Sequence, residues 1–336
     1  MGHTALNHNL KTLAPLPERP LVSIIVPSFN QGRFIRTTID SVLQQAYRPL
    51  EVIVVDGGSK DDTVSVLESY GDLPELRWTS EPDKGVADAV NKGFARARGA
   101  IIGIQSSDDW YLPGAVEQAV AALQAPDRPA LVYADFATVD AEGRELFQSR
   151  IGQYTLENLL SKQTWVPQPS AFFRSEVLAD LNGWNPAYFV CDTEFWFRLA
   201  FRYPARKAAG LWAQRRLHDD QRNRRAQDIV SSYWRMVTES SDLQSAPGRL
   251  QRAARCGAYL TEMRYNPSGS AWQASAALWK AIAEFPSVFP AVRSLPQLLP
   301  GRLAVGALRN RVGRMLRGSS ATAAGSPSQH APTAQP

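Results

Sequence analysis

Apolar residues in the first half of the chain follow two alternating rhythms. Short, mostly apolar segments at residues 21–26, 51–55, 76–79, 100–105 and 131–134 have strand length, the first of them rich in β-branched residues. Between them apolar positions return every three or four residues. Phe34, Ile35, Ile39, Val42 and Leu43 share one helical face, as do Val86, Ala89, Val90, Phe94 and Ala97, and helices are also predicted over 63–70 and 114–123. Strand, helix and strand in repeated order specify parallel crossover units. The expected fold is α/β: an open, mixed, mostly parallel sheet flanked by helices, with ligands seated beyond the carboxyl ends of the strands.

After Tyr133 the rhythm changes. Residues 137–139 and 145–148 flank Asp140-Ala141-Glu142-Gly143, which reads as a hairpin turn. Pro167-Gln168-Pro169 leads into a strand at 170–173, Ser175 is placed to cap a short helix ending near Gly183, and Cys191 opens a helix that half-buries Phe195, Trp196 and Leu199. From Asp219 the pattern is helical, at about 220–239, 249–264 and 270–284. The expected organisation is a flexible segment at 1–19, a catalytic α/β unit at 20–225, a C-terminal helical appendage at 226–317 and a disordered tail at 318–336.

Composition narrows this picture. A chain of 336 residues builds a core without staples, and two cysteines, Cys191 and Cys256, support neither a disulfide framework nor a thiolate zinc site. No apolar run approaches the ~20 residues needed to cross a bilayer, and the first residues do not resemble a secretory signal, so a cytoplasmic location is expected. The net charge of +5 is modest and leans on arginines after Arg202. Nucleic acid, anionic lipid and a phosphate-bearing substrate all suit such charge, and composition does not choose. Residues 301–317 set Leu303, Val305, Leu308, Val312 and Leu316 among five arginines. This amphipathic stretch is expected either to rest on the inner face of an anionic membrane or to pack on the catalytic unit.

The candidate chemistry sits at strand ends, where Ser28, Asp56 and Asp108 converge on one crevice. Asp108-Asp109 fits helix capping, but at the end of an apolar strand it also fits Mg2+ or Mn2+, which prefer carboxylate oxygens and share substrate phosphates. Asp56-Gly57-Gly58-Ser59 is either a plain turn or one whose carboxylate accepts from a nucleoside while its glycines admit close backbone approach. Asp83, Lys84 and Asp88 read as a solvated turn or as contacts to ribose and sugar hydroxyls, with Asn91 on nearly the same helical face as Asp88. Asp192 and Glu194 suit the positive end of a helix, and His218 beside Asp219-Asp220 gains interest only if it folds back toward Asp108. Neither a dinucleotide fingerprint nor a phosphate-binding P-loop is present.

Five ordered stretches, VSIIVPSFNQGRFI, EVIVVDGGSKDDT, EPDKGVADAVNKGFARARGAIIGIQSSDDWY, PQPSAFFR and CDTEFWFRLA, together resemble the family 2 glycosyltransferases over residues 20–225. The resemblance implies a GT-A-like nucleotide-sugar-binding fold and an inverting sugar transfer from a nucleoside diphosphate, of UDP or dTDP type, assisted by Mg2+ or Mn2+. It places Pro27, Ser28 and Asn30 near the nucleotide, Asp56 at the base, and Asp83 and Asp88 near ribose and sugar. Gly58, Lys84, Gly85, Asn91 and Ser107 complete the expected donor set. Asp108 matches the last acid of the family's D-x-D element, whose first acid is here Ser106; Asp109 and His218 are the further metal candidates. Asp192 matches the catalytic base, with Glu194 as the fallback. The Q-x-x-R-W element of processive synthases is absent, so one sugar per encounter is expected, passed to a glycan or lipid-linked acceptor during surface polysaccharide or related glycan assembly. A nucleic-acid partner is not expected. Two other readings stand beside this one. A nucleotidyltransferase would carry a Gly-rich loop with a basic residue after the first strand, and a non-catalytic sugar- or nucleotide-binding module would tolerate Asp192→Asn.

Overall fold

The computed structural model describes residues 10–218 and 225–292. Nine strands form one sheet: β1 (Val22–Ser28), β2 (Leu50–Asp56), β3 (Leu76–Ser80), β4 (Ile101–Ile104), β5 (Trp110–Tyr111), β6 (Leu131–Val139), β7 (Glu145–Ser149), β8 (Ala171–Arg174) and β9 (Ala205–Arg216). Their order is β3-β2-β1-β4-β8-β6-β9-β5, with β7 paired to β6. The first four are mutually parallel, β8 runs against β4 and β6, and β9 lies parallel to β6.

The helices of the sheet are α1 (Ile35–Leu43), α2 (Thr63–Glu68), α3 (Val86–Arg96), α4 (Ala115–Leu123), α5 (Leu156–Leu160), α6 (Leu178–Leu181) and α7 (Cys191–Arg202). The mixed α/β sheet flanked by helices is thus present as the residue pattern indicated. The strands β1 and β2 are buried along nearly their whole length, which is why they read as continuous apolar runs rather than as alternations.

Register decides where the polar groups land. Ser28 pairs with Asp56 and Asp56 with Ser80, so three polar residues stand in one row where β1, β2 and β3 end. Pro27 lies inside β1 rather than ending it, and the strand runs on to Ser28.

Three features depart from the sequence expectations. The strand expected at 131–134 continues to Val139 and carries the predicted hairpin with β7 on its far half. Strand β9 was not foreseen: Arg206, Lys207, Gly210, Gln214 and Arg215 interrupt its apolar pattern, Gly210 has φ of 103°, and few of its residues are fully buried. Ser175 does not cap a helix; it opens a 3-10 turn, Ser175–Val177, that runs into α6 with no side-chain cap.

The helices α8 (Ala226–Glu239), α9 (Ser241–Gln244), α10 (Gly248–Tyr265), α11 (Ala271–Glu284) and α12 (Phe289–Val292) follow. Helix α10 packs against α8, α11 and α5. It approaches α5 so closely that a Cβ added at Gly257 would sit 2.1 Å from the Leu160 carbonyl oxygen. Their buried residues join those of the sheet in one apolar cluster that runs from Leu13 to Val292. Helix α8 also grips the loop before α7: Phe189 donates its backbone N–H to Ser232 Oγ at 2.8 Å, and Arg235 donates to the Ala187 carbonyl at 2.7 Å. Cys191 and Cys256 are buried free thiols. No helix among the described residues is long and apolar enough to cross a membrane. Residues 301–317 and the expected tail at 318–336 lie outside the described residues, as do residues 1–9 of the 1–19 segment; residues 10–19 are described, and Leu13 among them is buried in the core.

Candidate active site

The row at the ends of β1, β2 and β3 is the floor of a crevice whose loops are tied to one another. Asp56 is fully buried, and its carboxylate accepts from the backbone N–H of Ser59 at 2.9 Å, the N–H of Gly58 at 3.2 Å, Ser59 Oγ and Ser80 Oγ at 2.6 Å. Those four bonds fill its acceptor capacity. Its work in this structure is to shape the 57–59 loop, so a bound base would meet that loop first or would have to displace the Ser59 hydroxyl. Gly58 has φ of 79°, a left-handed conformation that favours glycine there. Asn30 joins the β1 loop to the β2 loop by donating its N–H to Ser59 Oγ at 2.7 Å and accepting from the Lys60 N–H at 2.9 Å. Ser28 Oγ is buried with no hydrogen-bond partner among the described residues, while the next side chain, Phe29, is 57% exposed.

Asp83 reaches back to the same loop: its Oδ2 would be 2.6 Å from a Cβ on Gly57, and its Oδ1 accepts from the Gly85 N–H at 2.7 Å. Gly85, at φ of 109°, precedes α3 with open space where a Cβ would point. Asp88 accepts from the Lys84 N–H at 3.1 Å and pairs with Lys92 at 3.3 Å, and these contacts hold its carboxyl below the usual range. Asn91 requires a correction. Both ends of its amide are engaged by the backbone of Trp184, its Nδ2 donating to the carbonyl at 2.8 Å and its Oδ1 accepting from the N–H at 2.8 Å. It therefore clasps α3 to the segment before α7, and a donor sugar would have to share an amide already engaged at both ends.

Beyond β4 the chain turns through Ser106, Ser107 and Asp108, and here the structure brings two predicted residues together. His218, just past the end of β9, places Nε2 2.9 Å from Asp108 Oδ2. The imidazole lies 4.9 Å from the Phe34 ring, and its Nδ1 is buried without a hydrogen-bond partner among the described residues. Arg216 braces the pair by donating Nε to the Asp108 carbonyl at 3.1 Å, and its guanidinium stacks 4.6 Å from both Phe34 and Trp110. A cavity of 540 Å3 opens beside His218, lined by Asn30, Arg33, Phe34, Glu142 and Arg144 among others. Ser107 is buried, and Ser106 Oγ donates to Gln168 Oε1 at 3.2 Å.

A divalent cation fits the Asp108–His218 pair. Ligands in adjacent positions of an octahedral ion at ~2.1 Å lie about 3 Å apart, close to the separation seen. The carboxylate suits Mg2+ or Mn2+, with the imidazole as a second donor. No set of three His, Cys, Asp or Glu side chains gathers as a metal site among the described residues, so phosphate oxygens and water would complete the shell.

Asp109 is corrected in the other direction. It is buried, its Oδ1 accepts the Arg216 N–H at 2.8 Å, and burial followed by the Asp108 charge pushes its carboxyl well above the usual range. It anchors β9 to the strand-end turn.

Helix α7 carries the two candidate bases. Glu194 is corrected as well: Arg198, one turn on, takes both of its oxygens at 2.6 and 2.7 Å. Arg198 donates in addition to the Gly183 carbonyl at 2.8 Å and to the Leu181 carbonyl. Glu194 is therefore a locked structural ion pair. Asp192 stands in the first turn, half-buried, and faces a cation that the sequence did not reveal. Burial pushes the Lys162 ammonium down to about 8, with Tyr265 and Asp192 opposing that drop and Arg264 adding to it. Lys162 donates to the Tyr233 hydroxyl of α8.

Phe29, Phe34, Gln168 and Arg216 are the crevice residues that sequence reasoning missed. An exposed aromatic after a strand leaves no periodic signal, and Arg216 lies on the unforeseen β9.

The family model for glycosyl transferase family 2 matches residues 23–181. An uncharacterised glycosyltransferase of Mycobacterium tuberculosis is 36% identical over 185 residues, which is 54% of this chain and 69% of that protein. The matched stretch spans less of other curated relatives: 44% of an uncharacterised glycosyltransferase of Rickettsia prowazekii at 34% identity over 142 residues, 42% of this chain. It spans 19% of the Escherichia coli chondroitin synthase, at 37% identity over 131 residues, 39% of this chain. Among solved structures, the Pyrobaculum calidifontis mannosyltransferase in complex with GDP-Man and Mn2+ aligns with a TM-score of 0.59 and 25% identity, covering 90% of this chain and 84% of that one. S. aureus TarS in complex with UDP-GlcNAc aligns with a TM-score of 0.57 and 16% identity, covering 81% and 91%, and shows the fold alone. With its strand-end crevice, its motifs in order and a relative matched over two thirds of its length, the chain belongs to glycosyl transferase family 2.

Proposed function

We propose that this protein transfers one sugar from a nucleoside-diphosphate sugar, of UDP or dTDP type, to an acceptor hydroxyl with inversion, during assembly of a surface polysaccharide or related glycan. The observation that carries the reading is the Asp108–His218 contact at 2.9 Å, beside the row of strand ends where Ser28 and Asp56 stand. Residues 20–225 form the catalytic unit in this reading, and a glycan or lipid-linked molecule is the acceptor.

Each side chain then has a part. Phe29 stacks on the base, the unpartnered Ser28 hydroxyl donates to the nucleotide, and the loop shaped by Asp56 closes around it. Pro27, Asn30 and Gly58 fix that loop geometry. Asp83, Lys84 and Asp88 face the ribose and sugar hydroxyls. Asp108 and His218 hold Mg2+ or Mn2+, which when bound would offset the charge building on the departing diphosphate. Asp192 accepts the proton of the attacking hydroxyl. The new bond forms between that oxygen and the anomeric carbon as the bond from that carbon to the diphosphate breaks on the opposite face.

Thermal stabilisation across a panel of nucleotide sugars, with and without Mn2+, tests the donor site. Asp108→Asn and His218→Ala are expected to abolish the Mn2+-dependent part of the shift and the bound-Mn2+ signal in electron paramagnetic resonance. Asp192→Asn is expected to keep donor stabilisation while transfer falls by about 10²- to 10⁴-fold. A panel with no stabilising donor would sink the proposal, as would unchanged transfer by Asp192→Asn.

A further inference from the structure

Helix α11 buries Ala274, Ala277, Leu278 and Ala281 against its neighbours and turns a second apolar stripe outward. Trp272 is 73% exposed and Trp279 51% exposed, seven residues and two turns apart on one face, with the exposed Ala276 and Ala283 continuing the line. Phe289 on α12 adds an aromatic ring that is 43% exposed. Buried tryptophans are common in this fold, Trp196 and Trp212 among them, so two held in solvent on one stripe call for an occupant.

We propose that the Trp272–Trp279–Phe289 face is a docking surface for an anionic lipid bilayer. Size argues against a protein partner. At ~200–250 Å2 for each large aromatic, the exposed fractions amount to on the order of 400 Å2, about half of the ~800 Å2 that a stable partner covers. A bilayer interface has no such minimum, and tryptophan is the residue that settles at headgroup depth, with its ring in the apolar layer and its N–H among polar groups.

Charge selects the kind of lipid. The one acid in α11 or α12 is Glu284, and Arg255 holds it bidentately with both contacts at 2.9 Å, so the face presents no free carboxylate. From Phe285 to the end of the sequence there are six arginines and no Asp or Glu. Basic residues next to an anionic leaflet add attraction, whereas a zwitterionic surface offers them little. The aromatic stripe and the acid-free stretch that follows it thus ask for the same surface. The donor crevice, on the ends of β1 to β4, takes no part in this argument, and the proposal stands or falls apart from the catalytic reading.

The test uses the full-length chain and phosphatidylcholine vesicles with or without phosphatidylglycerol. The chain is expected to co-sediment with the phosphatidylglycerol vesicles, to show a blue shift of tryptophan emission on binding, and to leave phosphatidylcholine alone in solution. The double variant Trp272→Ser/Trp279→Ser is expected to bind about tenfold more weakly and to lose most of the blue shift, while its thermal midpoint stays that of the parent. Three results would overturn the proposal: equal vesicle binding by parent and double variant, no preference for the anionic vesicles, or a parent dimer in solution that the double variant loses. Acrylamide quenching of the free chain is a separate check, because shielding of both tryptophans without vesicles would mean that the chain's own C-terminal stretch covers the face.

Discussion

Replacing Lys162 with methionine removes a charge that the fold holds at a cost, and the size of that cost follows from its surroundings. The ammonium lies against the Tyr233 ring at 4.3 Å, its stem packs on Gly257, and burial lowers it from 10.5 to about 8. A base whose folded value is depressed binds its proton more weakly in the native state than in the unfolded chain. Below pH 8 the native state must keep an unwelcome charge; between 8 and 10.5 the unfolded chain binds more protons, so stability rises with pH through that window. Two to three pH units at 1.36 kcal/mol each set an upper scale of about 3 kcal/mol. Methionine keeps an unbranched stem of similar length without the charge. Urea denaturation of parent and Lys162→Met across pH 6.5 to 10 is expected to show the variant as stable as the parent or more so at neutral pH, with its advantage shrinking by about 3 kcal/mol toward pH 10. A difference that does not change with pH, or one that grows as pH rises, would refute this account of Lys162.

Two further outcomes follow from the same kind of bookkeeping. Asp109 has its folded value raised, so its contribution is fully present below the unfolded value of about 3.8 and declines as pH rises above it; Asp109→Asn should flatten that acid-side slope in stability while leaving Mn2+ binding in place, measured by urea midpoints and paramagnetic resonance. Glu194→Gln leaves Arg198 with its carbonyl partners but without its carboxylate, and should cost on the order of 2 kcal/mol in thermal unfolding with donor-induced stabilisation retained.

The front half of the fold was legible because β1, β2 and β4 are short apolar runs and the helices between the strands are amphipathic, so period and length agreed. The segment from Ala205 to Arg216 was opaque for the opposite reason. Its strand pairs with both β6 and β5, polar residues such as Lys207, Gln214 and Arg215 sit half-buried where apolar ones would signal a strand, and the glycine at its bend interrupts any alternation. The site divided along a similar line. Motif position singled out Asp56, Asp83, Asp108 and Asp192 as candidates, but it could not reveal what already holds a carboxylate. Asp109 and Glu194 carry the same chemical group as their neighbours two residues or fewer away, and only the third dimension reveals that Arg216 and Arg198 already hold them. His218 was the converse case, since its nearness to Asp108 spans 110 positions and depends on a strand that no local pattern announced.

The clasp between Asn91 and Trp184 has a mechanical meaning. Two hydrogen bonds to one backbone residue join α3 to the segment that launches α7 and so brace one wall of the strand-end crevice against the other. The span between the crevice floor and Asp192 is then a property of the scaffold rather than of whatever enters it. A transferase built this way adapts to a new sugar or acceptor by rewriting the loops that overhang the cleft, while the gauge of the cleft itself is inherited.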